Sequence, residues 1–225
     1  CHVLSSAICM DKRMFRSLMA GAGVVQAKYL GFDFNLNSND ETEEIKKRAV
    51  TELKFPLFVK PSNSGSSVVI TQVNNADELD SAINKANKHD SKILIEEGFT
   101  NHKEVEIAVL GNRELIVSEP GQLLVPGGFY DYDEKYKLGK TKVVIPADLS
   151  DAEKKECMSL AEKVYRMCSC SGFARVDFFV QNSKVFISEI NTLPGFTDIS
   201  MYPKLMAYAR IEYKELITKI IELVY

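Results

Sequence analysis

The sequence has 225 residues, 45% of them hydrophobic and 26% charged, a composition typical of a water-soluble globular protein. Its formal net charge of −3 excludes a global basic field that would attract nucleic acid or an anionic membrane. No apolar run approaches the roughly 20 residues that a bilayer-spanning helix needs. We therefore expect neither a nucleic-acid partner nor a membrane partner.

The cysteines and the first residues indicate the compartment and the extent of the protein. The five cysteines form no CxxC pair, and an odd number argues against a disulfide framework, so we expect a reducing cytoplasm. Residues 1–4 lack the basic and apolar segments of a signal peptide. Because residues 3–7 run straight into a helical pattern, we expect the chain to be a fragment.

Hydrophobic spacing in the first part of the chain predicts a ββαβ unit that follows an initial helix. Phe15, Leu18 and Met19 recur at helical spacing, and the later apolar runs are short enough for strands. The predicted elements are a helix over 12–22, strands over 55–60 and 68–73, a helix over 76–88 and a strand over 92–97.

The sequence pattern changes in the remainder of the chain, and we expect a second α+β lobe to begin near residues 97–103. Ser150 and Glu153 form a capping box for a helix. The long connection over 120–146 is predicted to be either a functional loop or a disordered one. The other predicted elements are strands over 104–110, 115–117, 173–180 and 185–190 and a last helix over 210–224. Two lobes would leave a cleft between them.

The last predicted hairpin carries the strongest candidate for a metal site. With a three-residue loop at 182–184, Asp177 lies opposite Glu189 and Arg175 lies opposite Asn191, all on one face. Two carboxylates and an amide oxygen suit Mg²⁺, which completes its octahedron with phosphate oxygens or water. A solvated sheet face with an ordinary salt bridge explains the hairpin alone equally well.

Two weaker patterns are compatible with a nucleotide. The small residues of loop 62–67 leave backbone N–H groups able to cradle phosphate, and Lys60 stands just before them. The loop is not a P-loop, and a mobile surface turn is the more frequent explanation. Glu96 and Glu97 end an apolar strand at the lobe junction, where they could contact adenine or ribose, although an exposed strand end explains them too.

Aromatic and acidic residues alternate over 128–136, and such a Gly-flanked segment could close over a small substrate. Lysines around it would fit a nucleic-acid site only if the neighbouring acids were absent. The three histidines, His2, His89 and His102, lack metal-ligand spacing, and we interpret them as surface residues.

Together the segments resemble the D-alanine–D-alanine ligase family of the ATP-grasp superfamily, and they occur in that family's order over nearly the whole chain. They are Met10-Asp11-Lys12, Phe58-Val59-Lys60-Pro61 with Gly65-Ser66-Ser67-Val68, Leu94-Ile95-Glu96-Glu97, Phe129-Tyr130-Asp131-Tyr132 with Lys135-Tyr136, Arg175-Val176-Asp177-Phe178, and Glu189-Ile190-Asn191-Thr192 with Pro194-Gly195-Phe196-Thr197.

The resemblance implies an α+β ATP-grasp fold in which two α+β lobes enclose an ATP-binding cleft. Residues 1–100 would form the central lobe and residues 101–225 the catalytic lobe, with the family's N-terminal substrate domain absent. The implied ATP-binding residues are Lys12, Lys60, Ser66, Glu96, Glu97, Glu104 and Lys135. The implied ligands of two Mg²⁺ (or Mn²⁺) ions are Asp177, Glu189 and Asn191. The implied catalytic residues are Arg175, Ser66, Tyr136 and Gly195, and Ser200 and Met201 would lie by the second substrate.

The implied reaction joins two molecules of D-alanine at the cost of ATP for peptidoglycan synthesis. One carboxylate takes the γ-phosphate to give an acyl phosphate, and the amine of the second D-alanine displaces phosphate. A homodimer of the full-length protein is also expected. The alternatives are a D-alanine–D-serine ligase and an inactive nucleotide-binding remnant. Val69 departs from the family pattern, in which glycine is usual, and we expect it to stiffen the phosphate loop.

Overall fold

The computed structural model describes residues 1–34, 39–65, 69–124 and 142–224, with the backbone alone at 39–41. Ser66, Lys135 and Tyr136 lie outside these ranges. The helices are α1 (Val3–Met10), α2 (Lys12–Gly21), α3 (Asn39–Glu52), α4 (Leu79–Asn87), α5 (Asp151–Met167), α6 (Met201–Tyr208) and α7 (Tyr213–Glu222). The strands are β1 (Tyr29–Asp33), β2 (Leu57–Pro61), β3 (Thr71–Val73), β4 (Lys92–Glu97), β5 (Lys103–Gly111), β6 (Leu115–Val117), β7 (Gly121–Leu124), β8 (Lys142–Val144), β9 (Phe173–Gln181) and β10 (Lys184–Asn191).

A four-stranded antiparallel sheet in the order β1-β4-β2-β3 forms one half of the described structure. The predicted helix over 76–88 is present as a short 3₁₀ turn followed by α4. As its spacing predicts, α4 buries Leu79, Ala82, Ile83 and Ala86 against the sheet, where they join side chains from α3 in one core. The predicted ββαβ unit is confirmed, while β1 and α3, which have weaker periodicity, were not predicted.

The second sheet, in the order β10-β9-β5-β7-β8 with β6 added to β5, has two unlike faces. Val176, Phe178 and Val180 of β9 alternate into a core that α5 completes. The predicted capping box of Ser150 and Glu153 begins α5. The opposite face is covered at one end by α6 and α7, which bury a smaller apolar cluster. The rest of that face is left for polar side chains.

The first two helices pack on the second sheet although they precede the first in sequence. Cys9, Phe15, Met19 and Val24 are buried in the same core as α5 and β9. A parallel bridge between Gln26 and Ile187 continues this contact to the edge of β10. The division into residues 1–100 and 101–225 stays a prediction, and any refined boundary has to accommodate the packing of α1 and α2.

The β9–β10 hairpin has the predicted pairs but reaches them by a different route. Asn182 and Ser183 have φ of 51° and 57°, as in a two-residue turn, so the expected three-residue loop at 182–184 is wrong. Lys184 therefore pairs with Gln181, and a β-bulge between Ile187 and Glu189 shifts the register by one residue. Beyond the bulge Glu189 lies opposite Asp177 and Asn191 opposite Arg175, as predicted.

The long connection predicted over 120–146 contains two short strands, β7 and β8, which pair with each other. Its middle, including the aromatic and acidic segment 128–136, lies outside the described residues. The predicted last helix is α7, and α6 before it was not predicted. In the part of the chain that the structure describes, no helix has both the length and the apolar character needed to cross a membrane.

Candidate functional site

The bulge and the strand alternation gather charged residues on one face of the second sheet. Glu106, Asp177 and Glu189 lie opposite one another on three neighbouring strands, β5, β9 and β10. Ala108, Arg175 and Asn191 form the next row. We call this the charged face, defined by Glu104, Glu106, Arg175, Asp177, Glu189 and Asn191. The predicted metal ligands Asp177, Glu189 and Asn191 therefore lie together with the predicted catalytic residue Arg175.

Arg175 is held between two carboxylates. Its Nε and Nη2 donate to the two oxygens of Asp177, each at 2.7 Å, and its Nε lies 3.0 Å from Glu106 Oε2. Burial by itself would lower the pKa of Arg175, but the charges of Asp177 and Glu106 outweigh it and raise the pKa. The guanidinium is thus a permanent cation, with its donors aimed along the charged face.

Lys12 connects the charged face to the loop that precedes β3. Its Nζ lies 4.0 Å from Glu189 Oε2 and donates to the carbonyl of Ser64, while its backbone N–H donates to the carbonyl of Ser62 at 3.0 Å. Burial and the nearby charge of Lys60 lower the pKa of Lys12, against the attraction of Glu189. A desolvated ammonium at this place attracts a phosphate strongly.

Lys60 and Glu96 form an ion pair on neighbouring strands of the first sheet, and Arg16 of α2 joins them. Arg16 Nε lies 2.5 Å from Glu96 Oε1, and Lys60 contacts the other carboxylate oxygen. Burial raises the pKa of Glu96, but the charges and hydrogen bonds of Arg16 and Lys60 outweigh it and lower the pKa to about 2. In this structure the Glu96 side chain engages cations, whereas the sequence analysis expected it at the adenine.

Glu97 and Glu104, both predicted at the nucleotide, lie in different surroundings. Glu97 Oε1 accepts a hydrogen bond from the backbone N–H of Lys54 at 3.0 Å, so its side chain is directed away from the Lys60–Glu96 pair. Glu104 shares the face of Glu106, and its carboxylate lies 3.6 Å from Nε2 of His102. His102 is packed against Phe99 and Phe179, so its interpretation as a surface residue is wrong.

The turn before α6 brings Gly195 and Ser200 together. Ser200 Oγ accepts a hydrogen bond from the backbone N–H of Thr197 at 3.1 Å and lies 2.9 Å from its hydroxyl. A Cβ at position 195 would lie 2.7 Å from Ser200 Oγ, so a side chain there would force the hydroxyl to move. Met201 is buried in the cluster below α6, which leaves its backbone as the part able to contact a substrate. Helix N-termini attract carboxylates.

Three residues of this region were missed by the sequence analysis. Asp11 accepts from the N–H of Met14 at the start of α2 and from Ser62 and Lys92. Arg16 is buried among apolar neighbours on α2, and an arginine at a core position of an amphipathic helix was the available signal. Glu104 and Glu106 alternate with apolar residues on the buried strand β5, and that alternation was the signal that could have identified Glu106.

The carboxylate and amide oxygens on the charged face fit a magnesium ion that is also bound by a phosphate. Among the described residues no group of three or more His, Cys, Asp or Glu side chains is arranged as a metal site by itself. Asp177 and Glu189 supply opposed carboxylates from adjacent strands, and Asn191 adds an amide. Mg²⁺ is bound in proteins by one or two carboxylates and takes its remaining ligands from phosphates and water. The set fits that mode of binding.

Two antiparallel sheets, with Lys12 of α2 beside Glu189 of the second sheet and near the Lys60–Glu96 pair of the first, have the arrangement of the ATP-grasp fold. The sequence matches the profile of the family described as D-ala D-ala ligase C-terminus over residues 18–222, and the chain belongs to this family.

Named relatives and solved structures agree with this assignment. The D-alanine–D-alanine ligase of Caldicellulosiruptor bescii is 45% identical over 225 residues, which is 99% of this chain and 61% of that protein. That of Clostridium acetobutylicum is 43% identical over 98% of this chain and 64% of its own length. The VanG D-Ala:D-Ser ligase from Enterococcus faecalis superposes with a TM-score of 0.88 at 38% identity, over all of this chain and 64% of that one. The chain thus spans about three fifths of the length of these relatives.

Proposed function

We propose that this chain is the nucleotide-binding and catalytic part of an ATP-dependent D-alanine–D-alanine ligase, which acts in peptidoglycan precursor synthesis in the cytoplasm. One observation carries the proposal: Lys12 lies beside Glu189 and within the same buried group of charges as Lys60 and Glu96. Phosphoryl transfer needs mainly positioning and charge neutralisation, and this arrangement supplies both. The family assignment and the named relatives support the substrate.

In the proposed reaction Lys12 and Lys60 bind the phosphates of ATP. Asp177, Glu189 and Asn191 would hold two Mg²⁺ ions, which would supply charge neutralisation for the transferred phosphoryl group. A carboxylate oxygen of the first D-alanine attacks the γ-phosphorus of ATP, so that an acyl phosphate forms and ADP leaves. The amine of the second D-alanine then attacks its carbonyl carbon, and phosphate leaves. Arg175 stabilises the oxyanion of the tetrahedral intermediate, as a fixed cation does without reorganisation.

The beginning of α6 is proposed to bind the carboxylate of the second D-alanine. Ser200 stands at the N-cap, its side chain caps none of the helix N–H groups, and the free helix end attracts an anion. The backbone N–H of Met201 would act together with Ser200, whereas the backbone N–H of Gly195 would face the oxyanion together with Arg175. Glu96, Glu97 and Glu104 at the nucleoside, and Ser66, Lys135 and Tyr136 as parts of a cover over the phosphates, stay predictions from the sequence.

A second candidate is a D-alanine–D-serine ligase, because the D-Ala:D-Ser ligase from E. faecalis superposes with a TM-score of 0.88. The division into lobes of residues 1–100 and 101–225 and a homodimer of the longer protein are proposed as well. The N-terminal domain of the family's longer members is expected to complete the site for the first D-alanine.

The test is ADP release by the full-length protein that contains this chain, with ATP and Mg²⁺ and with D-alanine present or absent. We expect release that depends on D-alanine, and a product with the mass of the D-alanine dipeptide. An equal mixture of D-alanine and D-serine separates the two candidates by the ratio of the two products. No ADP release with either amino acid would identify the chain as an inactive remnant.

A further inference from the structure

Arg16 contacts both sheets at once, and it does so beside the irregularity that orients the proposed metal ligand Glu189. Its Nε pairs with Glu96 of β4 at 2.5 Å, and its Nη1 donates to the main-chain carbonyl of Ile187 of β10 at 2.8 Å. The side chain is 4% exposed. A buried guanidinium with donors directed at two elements fixes their separation, because its planar fork is rigid.

The carbonyl that Arg16 binds lies at the start of the β-bulge in β10. Val185 and Ile187 before the bulge are buried in the core, and Ile190 after it is buried too. Successive residues of a strand alternate between faces, so an uninterrupted strand would direct Glu189 to the same side as Ile187. The extra residue at Ser188 reverses the alternation, and Glu189, whose side chain is 43% exposed, joins the charged face.

Two further contacts hold Ile187 from outside the sheet. Its backbone N–H donates to the carbonyl of Val25 at 3.0 Å, and it forms a parallel bridge with Gln26. The amide of Gln26 donates to the carbonyl of Arg16 at 2.9 Å, so the same short segment braces the arginine. The outward N–H and C=O of Ile187 on this edge strand are both satisfied by these neighbours. Arg16 therefore binds the outward carbonyl of the residue at which the bulge begins.

We propose that Arg16 is a positioning residue of the metal site: by binding the Ile187 carbonyl it maintains the bulge that turns Glu189 toward Asp177. Its pairing with Glu96 links this geometry to Lys60 at the phosphate end of the cleft. The inference rests on the proposed function for the identity of the metal site. It goes beyond that function in assigning a role to a side chain that reaches neither the metal nor the phosphate.

The primary test is Mn²⁺ binding in the presence of ADP, followed through the electron paramagnetic resonance signal of free Mn²⁺ on the full-length protein. Arg16→Met is expected to weaken Mn²⁺ binding by about 10-fold or more, the scale of losses at residues that orient metal ligands. Arg16→Lys should weaken Mn²⁺ binding less than Arg16→Met does, but should still weaken it. One ammonium cannot bond Glu96 and the Ile187 carbonyl in the same geometry as the guanidinium. The matched control is Arg13→Met, since Arg13 on the same helix pairs with Asp33 of β1.

A deletion tests whether the bulge carries the effect. Without Ser188 the strand continues in regular register, and Glu189 follows Ile187 directly onto the face opposite it, with Asp177 still as its partner. In that background Arg16→Met is expected to weaken Mn²⁺ binding by less than about threefold, since non-additivity reports shared structure. An undiminished loss would overturn the proposal and assign the effect to the charge of Arg16.

The outcomes separate this inference from the proposed function. If Mn²⁺ binds Arg16→Met as tightly as the parent while the parent uses D-alanine, the positioning role is wrong and the function stands. If the parent shows no turnover with D-alanine but Arg16→Met still loses Mn²⁺, the function is wrong and the positioning role stands. A parent that binds no Mn²⁺ overturns both. Should Arg16→Met fail to fold, unchanged binding by Arg16→Lys would overturn the role.

Discussion

Two hairpins supply most of the proposed site, and they are built differently. The β9–β10 hairpin closes with a two-residue turn, pairs along nearly its whole length and fixes Asp177, Glu189 and Asn191 through its register. Among the residues that the structure describes, the β2–β3 hairpin pairs only at Leu57, Phe58 and Val59. Metal ligands need fixed mutual geometry, whereas a loop that covers phosphate has to admit it. The proposed site would thus combine a hairpin that is paired along nearly its whole length with a hairpin that is paired over a short stretch.

The largest effect is expected from a substitution that removes a proposed metal ligand from the β9–β10 hairpin and leaves the backbone of the hairpin intact. Glu189→Gln preserves size but removes one carboxylate charge from the proposed metal site, so kcat of the full-length enzyme should fall about 1,000-fold, or ~4 kcal/mol. Steady-state ADP release at saturating Mg²⁺ measures it. Glu114→Gln, at an exposed position, is the matched control. Normal turnover by Glu189→Gln would refute the metal assignment.

The next effect concerns the ion-pair network beside the β2–β3 hairpin. Glu96→Gln leaves Arg16 and Lys60 buried without their counter-charge, and the free energy of unfolding should fall by about 3–5 kcal/mol. Urea denaturation of the chain measures the change. Glu97→Gln is the control, because Glu97 only accepts a hydrogen bond near the surface, and its expected change is below about 1 kcal/mol.

The same variant has a predicted pH signature. The pKa of Glu96 is about 2 in the folded chain, below its ordinary value of 4.5, so its ionised form stabilises the fold above pH 4.5. That contribution is lost as pH falls from 4.5 toward 2. The stability difference between wild type and Glu96→Gln should therefore shrink by about 1 kcal/mol between pH 5 and pH 3.5. A difference that is constant with pH would contradict the ionised state of Glu96.

A smaller effect tests the turn that follows the β9–β10 hairpin. Gly195→Ala places a Cβ 2.7 Å from Ser200 Oγ and displaces the hydroxyl from Thr197. We expect KM for the second D-alanine to rise about 10-fold with little change in KM for ATP, the scale of one lost hydrogen bond to a charged group. Gly21→Ala, where a Cβ meets no atom within 4 Å, should leave both values unchanged. Equal rises in both KM values would argue against a local role.

The smallest effect lies in the β2–β3 hairpin. Val69 has a φ of 63°, in the left-handed region that costs a residue with a Cβ about 1–2 kcal/mol. Val69→Gly relieves that strain but adds freedom to the unfolded chain, so a net gain of up to about 1 kcal/mol is expected. Thermal unfolding measures it, with Val69→Ala as the control that keeps the Cβ. A gain in both variants would assign the effect to the side chain instead of the backbone.

The sequence by itself predicted every element whose periodicity is strong and local. The spacing of Leu79, Ala82, Ile83 and Ala86 predicted α4, and Ser150 with Glu153 predicted the start of α5. The expected loop at 182–184, together with strand alternation, also predicted that Asp177 and Glu189 face each other, although the loop itself was wrong. Elements with mixed patterns, such as β1 and α3, were missed because their apolar positions follow neither period clearly.

Only the tertiary structure decided how the predicted pieces reach one another. The pairing of Asp177 with Glu189 depends on a turn one residue shorter than expected and a bulge that compensates for it. The bulge is fixed by Arg16 and the segment at Gln26, which are distant in sequence. Local sequence determines turns and periodicity because those interactions join near neighbours. Contacts across more than 150 residues depend on how the two sheets pack, so only the folded structure shows that Arg16 of α2 lies beside the proposed site.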